Sequence, residues 1–532
     1  MKTNLKYLAA ACMIMGASNT FAAAAATVCI TTDTTDPVTS VVTSAALNTV
    51  NTCVPEVTMY IAGASALGNA ITTVAPADLF DSTLPITKVK ADTTVPNATA
   101  TSAWLGTAKA STGTAAGKRL YVVYNNQNGS SAGISQLLSP IKDTTISESQ
   151  VVTVGPISKV AGIVAVTQAA SVGGKNTCTQ QADTTVGTVT YQNVTCTTFN
   201  RVQADLGISD VRPDMLYAFT GAKPKKLSTL TYFPISMQGF AVGVNANLYN
   251  ALQTQQIADG SLPSSCTAGD LTAACQPSVR KADYASLSST QGGIKSAAAL
   301  LNNPLDTTLL TLSRRDDLSG TQASSAIFFG DNPCGVSVDS KGKVIKGVIG
   351  GALSILGSPT PIVPSTTVYT VASPTAVVTP GIFQYNAQAT SGGVKADLAS
   401  ATGYVIGVVS LDSAEPTRTA TSYKYVKIDG QSPNFKADGT IDADQRLAMI
   451  NGNYPFVVAS YAATAIKPLN KTSVVVTHPT LVSEMITGLK DSTLHNLRGI
   501  GYLDGATDAI GGPKQAKYIR TGGNSCSPLI KG

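Results

Sequence analysis

The chain has 532 residues, of which 43% are hydrophobic and 13% charged, and its formal net charge is +6. This length exceeds one ordinary hydrophobic core and predicts about two or three domains. The sequence has no runs of Lys and Arg, which argues against a nucleic-acid-binding protein, and its recurring aliphatic and aromatic residues argue against a disordered one. Because His478 and His495 are the only histidines, a site built on several histidines is nearly excluded.

Residues 1–23 are typical of a secretory signal peptide. Two lysines precede the apolar segment Tyr7–Met15, and small residues follow it, so cleavage is expected between Ala22 and Ala26. A lipoprotein signal at Cys12 is the weaker alternative, because Cys12 lies inside the apolar segment. Since no later run reaches the roughly 18 apolar residues of a membrane-spanning helix, we expect a periplasmic or secreted protein without a transmembrane segment in its mature chain.

The eight cysteines after Cys12 indicate disulfide bonds, in keeping with export. Proximity along the chain suggests three short-range pairs and leaves two cysteines for a long-range bridge, although other connectivities stay open. The suggested pairs are Cys29 with Cys53, Cys178 with Cys196, Cys266 with Cys275, and Cys334 with Cys526. The sequence has no C-x-x-C motif, which disfavours zinc binding and redox chemistry.

Predicted strands and helices alternate after an Ala- and Thr-rich leader at residues 24–55. Val57–Ile61 and Leu120–Tyr124 indicate strands, each followed by small residues and a helical pattern, the second of which is expected to open at Gly133–Leu138. Alternating Thr and Val predict hairpins within residues 141–200. Further strand, loop and helix signals lie at Leu206–Asp210, Pro234–Val244, Ala297–Leu301, Ser313–Phe329 and Tyr404–Val409. The pattern predicts an α/β protein with β-rich insertions.

Three loops of small residues precede helical patterns and suit an oxyanion. They are Gly63–Ala66, Gly129–Gly133 and Ser319–Thr321. Each offers hydroxyls and backbone N–H groups at the positive end of a helix dipole, and Arg315 adds a guanidinium able to make a forked contact. A single loop of this kind is usually an ordinary helix N-cap. Three such loops and an arginine in one chain favour a tetrahedral-oxyanion site.

Seven short segments carry a resemblance to a known family. In chain order they are Gly63–Ser65, Gly129–Gly133, Gly207–Asp210, Pro234–Asn245, Arg315–Thr321, Gly403–Gly407 and Tyr454–Pro455. Together they resemble the periplasmic phosphate-binding proteins of ABC importers, within the class II periplasmic binding fold. The resemblance covers about residues 57–465, and its most specific block is Arg315–Thr321.

The resemblance implies a two-lobed, periplasmic-binding-protein-like α/β fold with two crossover strands between the lobes. Residues 56–238 and 412–532 would form lobe one, and residues 239–411 would form lobe two. The family is shorter in the region of residues 141–200, which we therefore expect to be an insertion.

The resemblance also implies which residues contact phosphate. They are the Ser65 hydroxyl (where the family often has Thr), the Ala66 N–H, the Ser130 hydroxyl, the Asp210 carboxylate, the Arg315 guanidinium oriented by Asp317, and the helix-opening Ser319, Gly320 and Thr321. Neither a cofactor nor a covalent step is implied, so we expect a binding protein and no enzyme activity.

The carboxylate of Asp210 decides between ligands. Hydrogen phosphate can donate a proton to this carboxylate near neutral pH, whereas sulfate has none to donate. An unpaired buried acceptor costs about 1–3 kcal/mol, so the site would favour phosphate. Taken alone, Asp210 could equally be a turn or N-cap residue, and Arg315 could be a surface ion pair with Asp317.

The sequence therefore predicts an exported protein that captures phosphate between two lobes by hinge closure, with delivery to an ABC-type permease as its expected role. The alternative is a secreted or surface protein with a structural or adhesive role that reuses this fold. An exported phosphatase is least favoured, because neither a nucleophile–base pair nor a metal cluster is recognisable.

Three other features are assigned no chemistry. Gly113–Arg119 imitates a P-loop but lacks its glycine spacing and its Ser or Thr. His478 and His495 are expected at the surface or at helix caps, and Trp104 is expected in packing.

Overall fold

A computed structural model describes residues 41–43, 55–91, 101–126, 129–138, 151–154, 157–160, 163–165, 177–196, 200–220, 227–288, 296–316, 319–331, 334, 366–369, 383–388, 390–471, 473–491, 495–503, 516–520, 526 and 529–531. The helices in these ranges are α1 (Gly68–Leu79), α2 (Gly129–Ser135), α3 (Pro213–Thr220), α4 (Ala246–Ala258), α5 (Lys281–Ser288), α6 (Ala298–Leu301), α7 (Gly320–Gly330), α8 (Ser391–Leu398), α9 (Leu447–Ile450), α10 (Val474–Thr477) and α11 (Pro479–Lys490). Short 3₁₀ turns lie at Ser65–Leu67, Ala110–Ala115 and Leu227–Thr229.

The strands of the first half of the chain are β1 (Val41–Thr43), β2 (Val57–Gly63), β3 (Ile86–Ala91), β4 (Thr101–Thr107), β5 (Arg119–Asn125), β6 (Val151–Val154), β7 (Ile157–Val160), β8 (Ile163–Ala165), β9 (Thr177–Gln180), β10 (Thr184–Val186), β11 (Val189–Cys196), β12 (Asn200–Val202), β13 (Leu206–Ser209) and β14 (Leu230–Val244). Those of the second half are β15 (Ser278–Val279), β16 (Leu310–Arg315), β17 (Thr366–Tyr369), β18 (Phe383–Gln388), β19 (Tyr404–Ser410), β20 (Lys424–Tyr425), β21 (Lys427–Ile428), β22 (Val457–Ala465), β23 (Ile500–Gly501), β24 (Tyr518–Arg520) and β25 (Leu529–Lys531).

The first sheet is mixed and combines strands from both ends of the chain. Its order is β1–β9–β11–β3–β4–β5–β2–β13–β22–β14–β23, and β10 lies beside β9 along β11. β5, β2 and β13 are parallel neighbours. The hairpin expected in the region 141–200 is present as β10 and β11, and β11 extends the sheet by pairing in parallel with β3.

The second sheet has the order β20–β14–β19–β16–β18–β17. It shares β14 with the first sheet: Leu230–Gly239 pairs with β22, and Phe240–Val244 pairs with β19. Within this sheet β19, β16 and β18 are parallel. The predicted α/β class is confirmed, while the predicted lobe boundaries stay predictions.

Two clusters of buried apolar side chains stabilise the sheets. In one, helices α1 and α11 pack together, Val74 of α1 and Leu481 and Met485 of α11 are buried, and Trp104 is buried in the same cluster, as expected. Leu481, Val482, Met485 and Leu489 are buried at helical spacing along α11, and burying each such side chain contributes about 1.5–3 kcal/mol. The other cluster extends through the second sheet and includes Phe240 and Phe456.

Parallel strands bring the loops of interest to one edge of each sheet. In the first sheet β2, β5 and β13 run in the same direction, and in the second sheet β16, β18 and β19 do. The carboxyl ends of parallel strands meet at a common edge, where ligands usually bind in α/β proteins. Six loops are therefore available for one site, three from each sheet.

One predicted element begins at a different residue. The helix after β5 begins at Gly129 and ends at Ser135, so its expected opening at Gly133–Leu138 is wrong. Gly129 has a φ of +61°, a left-handed conformation that glycine adopts without strain. Small polar residues that suggested a turn thus form the first helical turn, and Ser130 lies in it.

Two predicted disulfide bonds are confirmed. Cys266 is bonded to Cys275, and Cys334 is bonded to Cys526. The second bond closes a separation of 192 residues and ties the C-terminal region to the segment after α7.

The other predicted disulfide pairs stay predictions. β9 and β11 place Cys178 opposite Cys196 in antiparallel register. Cys29, Cys53 and the predicted signal peptide at residues 1–23 lie outside the described residues.

The expectation for the histidines is wrong for His495. Its Nε2 lies 2.8 Å from Asp78 Oδ2, and both side chains are only 10% exposed, so it is a buried partner of α1. His478 is at the N-cap position of α11, although its ring contacts Thr114 Oγ1 at 2.9 Å and caps no helix N–H.

Candidate anion-binding site

The loop after β2 is held against its neighbours by close backbone contacts. Gly63 has a φ of +132°, and a Cβ at this position would overlap the carbonyl of Ile208 in β13, so only glycine fits. The Ala64 N–H donates to the same carbonyl at 3.0 Å, and the Tyr124 hydroxyl donates to the Ala64 carbonyl at 2.5 Å. These contacts fix the turn that presents Ser65.

The loops after β5 and β13 meet directly. The Asp210 N–H donates to Ser130 Oγ at 3.0 Å, and both residues are buried. The hydroxyl of Ser130, in the first turn of α2, therefore lies beside the carboxylate-bearing turn, as the site prediction requires.

Arg315, at the end of β16, connects the two sheets. Its Nη1 donates to Ser65 Oγ at 3.2 Å and to Ser391 Oγ at 2.8 Å, and its Nε donates to the Gln388 carbonyl at 3.2 Å. Because Ser65 follows a strand of the first sheet and Ser391 follows a strand of the second, the guanidinium lies where the two sets of loops converge.

Helix α7 begins against the first-sheet loops. An ideal Cβ at Gly320 would overlap Ser130 Oγ and would lie 2.5 Å from Asp210 Oδ2, so glycine allows the helix N-terminus to approach the carboxylate. Ser319 is the N-cap residue of α7, but its side chain accepts no capping hydrogen bond. The Ser319 hydroxyl is therefore not used to cap α7.

Two buried oxygen atoms at this convergence make no well-formed hydrogen bond within the part of the chain that the structure describes, although the Thr321 hydroxyl lies near enough to the Asp210 carboxyl to lower its pKa. They are Asp210 Oδ1 and Thr321 Oγ1, and their residues are 1% and 2% exposed. Leaving such a group unpaired costs about 1–3 kcal/mol. A carboxylate acceptor and a hydroxyl donor are thus both available to a ligand.

The electrostatics of the site centre on Asp210. Burial raises the pKa of this carboxyl to about 7, the nearby Arg315 acts to lower it, and the negative charge of Asp412 acts to raise it. Burial likewise raises the pKa of Asp412, which follows β19, to about 6. The Asp210 carboxyl can therefore donate a proton below about pH 7 and accept one above it.

The structure brings most of the predicted site residues together. Asp210 interacts electrostatically with Arg315, while Ala66, in the 3₁₀ turn at Ser65–Leu67, is buried. Asp317, which was expected to orient the guanidinium, lies outside the described residues. Phosphate contact by any of these residues stays a prediction.

The sequence reasoning missed three residues of the cluster, namely Ser391, Gln388 and Asp412. A signal for Ser391 was present, because Thr390–Gly393 is another run of small residues that opens a helix after a strand. Asp412 had no local signal, since only the sheet order brings the end of β19 to this edge.

Neither a metal site nor a membrane span is evident in the described ranges. No group of three His, Cys, Asp or Glu side chains there is placed to hold a metal ion. No helix there is both long and apolar enough to cross a bilayer.

Comparisons with known proteins give remote likenesses. The sequence matches no family model and no curated protein. Among solved structures it is similar to a substrate-binding protein assigned to a phosphate ABC transporter of Clostridium perfringens, solved with bound phosphate: identity is 11% and the TM-score 0.34, over 80% of this chain and 92% of the other. An ABC-type phosphate transport receptor from Vibrio cholerae is similar at 11% identity and a TM-score of 0.32, over 80% and 93%. Because both TM-scores are below 0.5, the function proposed below depends on the residues of the site.

Proposed function

We propose that this protein is an exported solute-binding protein that captures inorganic phosphate at the cluster of Asp210 and Arg315. The observation that carries the proposal is the pair of buried, unpartnered oxygens on Asp210 and Thr321 beside a guanidinium. An anion that also carries a proton satisfies all three groups at once.

Phosphate fits these groups better than sulfate does. A phosphate P–OH donates to Asp210 Oδ1, while the other phosphate oxygens accept from Thr321, Ser130 and Arg315 and from N–H groups at the start of α7. Each bond to a charged group contributes about 1.5–3 kcal/mol. Micromolar affinity requires about 8 kcal/mol in total, so a few such bonds suffice after ordering costs.

The two sheets would supply the two lobes of the binding protein. β14 passes from one sheet to the other at Gly239 and Phe240, and the chain returns to the first sheet between β20 and β22. Rotation about these two connections would close the site over the anion and exclude water. In this proposal an ABC-type permease receives the phosphate.

Equilibrium dialysis with labelled phosphate tests the proposal. We expect the wild-type chain to retain phosphate with micromolar or tighter affinity, and Arg315→Ala to weaken retention at least about 100-fold, because charge-assisted bonds are lost. Arg280→Ala is the matched control: it removes the same charge from a side chain that is 74% exposed and pairs with Asp283. The control should bind as tightly as wild type.

Phosphate dialysis and an ester-hydrolysis assay together separate the alternative functions. A wild-type chain that retains no phosphate contradicts the proposal and favours a structural or adhesive role for the fold. Hydrolysis of a chromogenic phosphate ester, abolished by Arg315→Ala, would instead favour an enzyme.

A further inference from the structure

The carboxyl end of β18 contributes a loop to the site that the phosphate hypothesis did not include. The loop ends at Thr390, the N-cap residue of α8, whose side chain accepts the Gly393 N–H at 3.1 Å. Ser391, the first residue of α8, is only partly exposed. Its position beside the parallel strand β16 brings it next to Arg315.

Ser391 makes the shorter of the two serine contacts to Arg315. Its Oγ accepts from Nη1 at 2.8 Å, compared with 3.2 Å for Ser65 Oγ on the other sheet. The two hydroxyls hold the same guanidinium nitrogen from opposite sheets. A hydrogen bond to a charged donor in a partly buried site is among the stronger polar contacts in a protein.

The residues around Ser391 form a rigid support for the guanidinium. The Gln388 carbonyl accepts both from Arg315 Nε at 3.2 Å and from the Asp316 N–H at 3.1 Å. The Gln388 side chain is in turn held by Asp397 Oδ2 of α8 at 2.8 Å, and the same oxygen accepts from Ser313 Oγ at 2.6 Å. The end of β18 and helix α8 thus act as one unit behind the arginine.

We infer that Ser391 is a positioning residue for anion binding: its hydroxyl, together with the Gln388 carbonyl, sets the orientation in which the Arg315 guanidinium meets the ligand. A guanidinium is specific only when its planar fork is aligned with the oxyanion, so fixing its rotamer before binding removes an ordering cost. This inference rests on the proposed phosphate-binding function.

Phosphate dialysis of two neighbouring variants tests the inference. We expect Ser391→Ala to weaken phosphate binding about tenfold, as the loss of one bond to a charged group implies. Ser391→Thr keeps the hydroxyl and should bind within about twofold of wild type. Thr390→Ala is the matched control, because it removes the cap of the same helix and leaves the bond to Arg315 in place.

Each outcome decides between distinct conclusions. Ser391→Ala binding like wild type overturns the role of Ser391 and leaves the phosphate site intact. Equal losses in Ser391→Ala and Thr390→Ala also overturn it, since the stability of α8 would then be the cause. Failure of Ser391→Thr to restore affinity contradicts a role for the hydroxyl. Wild-type protein that retains no phosphate overturns both the inference and the proposed function.

Discussion

Two arginine side chains with little exposure, Arg418 and Arg315, lie near carboxylates, and their surroundings differ. Arg418 pairs with Glu415 in the second half of the chain, with an Nη1–Oε1 distance of 2.8 Å and side chains that are 7% and 6% exposed. Arg315 lies within electrostatic reach of Asp210, which is also buried. The same two types of charged group therefore occur twice inside one protein.

Both carboxylate oxygens of Glu415 accept hydrogen bonds from protein donors. Its Oε1 also accepts the Tyr425 N–H at 2.7 Å, its Oε2 accepts from Asn434 Nδ2 at 2.5 Å, and Arg418 Nη2 donates to the Tyr249 hydroxyl at 2.9 Å. A buried ion pair surrounded by such donors stabilises one arrangement of the chain, and neither oxygen of its carboxylate lacks a protein partner.

The carboxylate of Asp210 is different, because its Oδ1 is unpartnered among the described residues. The neighbouring Thr321 hydroxyl likewise makes no well-formed hydrogen bond among the described residues. Arg315 donates to two serine hydroxyls and a backbone carbonyl. Burial of a charge pair therefore does not by itself indicate a functional site. The unused hydrogen-bonding capacity of the carboxylate does.

The largest expected effect is a loss of protein stability when one partner of the Arg418–Glu415 pair is removed. Arg418→Ala leaves the Glu415 carboxylate buried without its partner, so we expect the free energy of unfolding to fall by about 3–5 kcal/mol. Urea denaturation measures this loss. The double variant Arg418→Met with Glu415→Leu should lose less free energy of unfolding than Arg418→Ala alone, because no charge is left buried without its partner.

Phosphate affinity of the folded Arg418→Ala protein should stay within about twofold of wild type, because this pair contributes nothing to the anion site. An unchanged stability, or a large loss of phosphate affinity, would remove the distinction between the two arginines.

The second-largest expected effect is a change with pH in the ratio of phosphate affinity to sulfate affinity. Sulfate brings no proton, so it binds well only when Asp210 is protonated and can donate. With the pKa of Asp210 raised to about 7 by burial, protonation falls as pH rises through 7, and sulfate affinity should drop about tenfold between pH 6 and pH 8. Phosphate can supply the shared proton itself, so its affinity should change less. Competition dialysis at both pH values measures the ratio of phosphate affinity to sulfate affinity.

Asp210→Asn provides the control for this pH effect. The Asn amide donates at any pH, so the sulfate curve should become flat and the preference for phosphate should decrease. A pH-dependent preference that persists in Asp210→Asn would assign the titration to another group, such as Asp412.

Much of the site was predictable because its parts are local. Gly63, Ser130 and Gly320 lie in strand–loop–helix patterns that the sequence displays, although Ser130 and Gly320 belong to the first turns of their helices. The α/β class follows from the same alternation of strands and helices. The start of α2 was misplaced because Gly129 suggests a turn, whereas it begins the helix in a left-handed conformation.

The remaining features depend on contacts between distant segments. His495 lies 417 residues from Asp78 in sequence, so nothing near it indicated a buried partner. Ser391 reaches Arg315 only because β18 and β16 are neighbours in the second sheet. The unpartnered state of Asp210 Oδ1 and Thr321 Oγ1 is a property of the packed site, and residue types alone do not reveal it.

A crystal structure of the protein grown with phosphate tests the central claim most directly. We expect one phosphate whose protonated oxygen lies within hydrogen-bonding distance, about 2.5–3.2 Å, of Asp210 Oδ1, with a second oxygen at such a distance from Thr321 Oγ1 and a contact to the Arg315 guanidinium. A phosphate bound elsewhere, with these two oxygens still unpartnered, would contradict the claim that this cluster is the binding site.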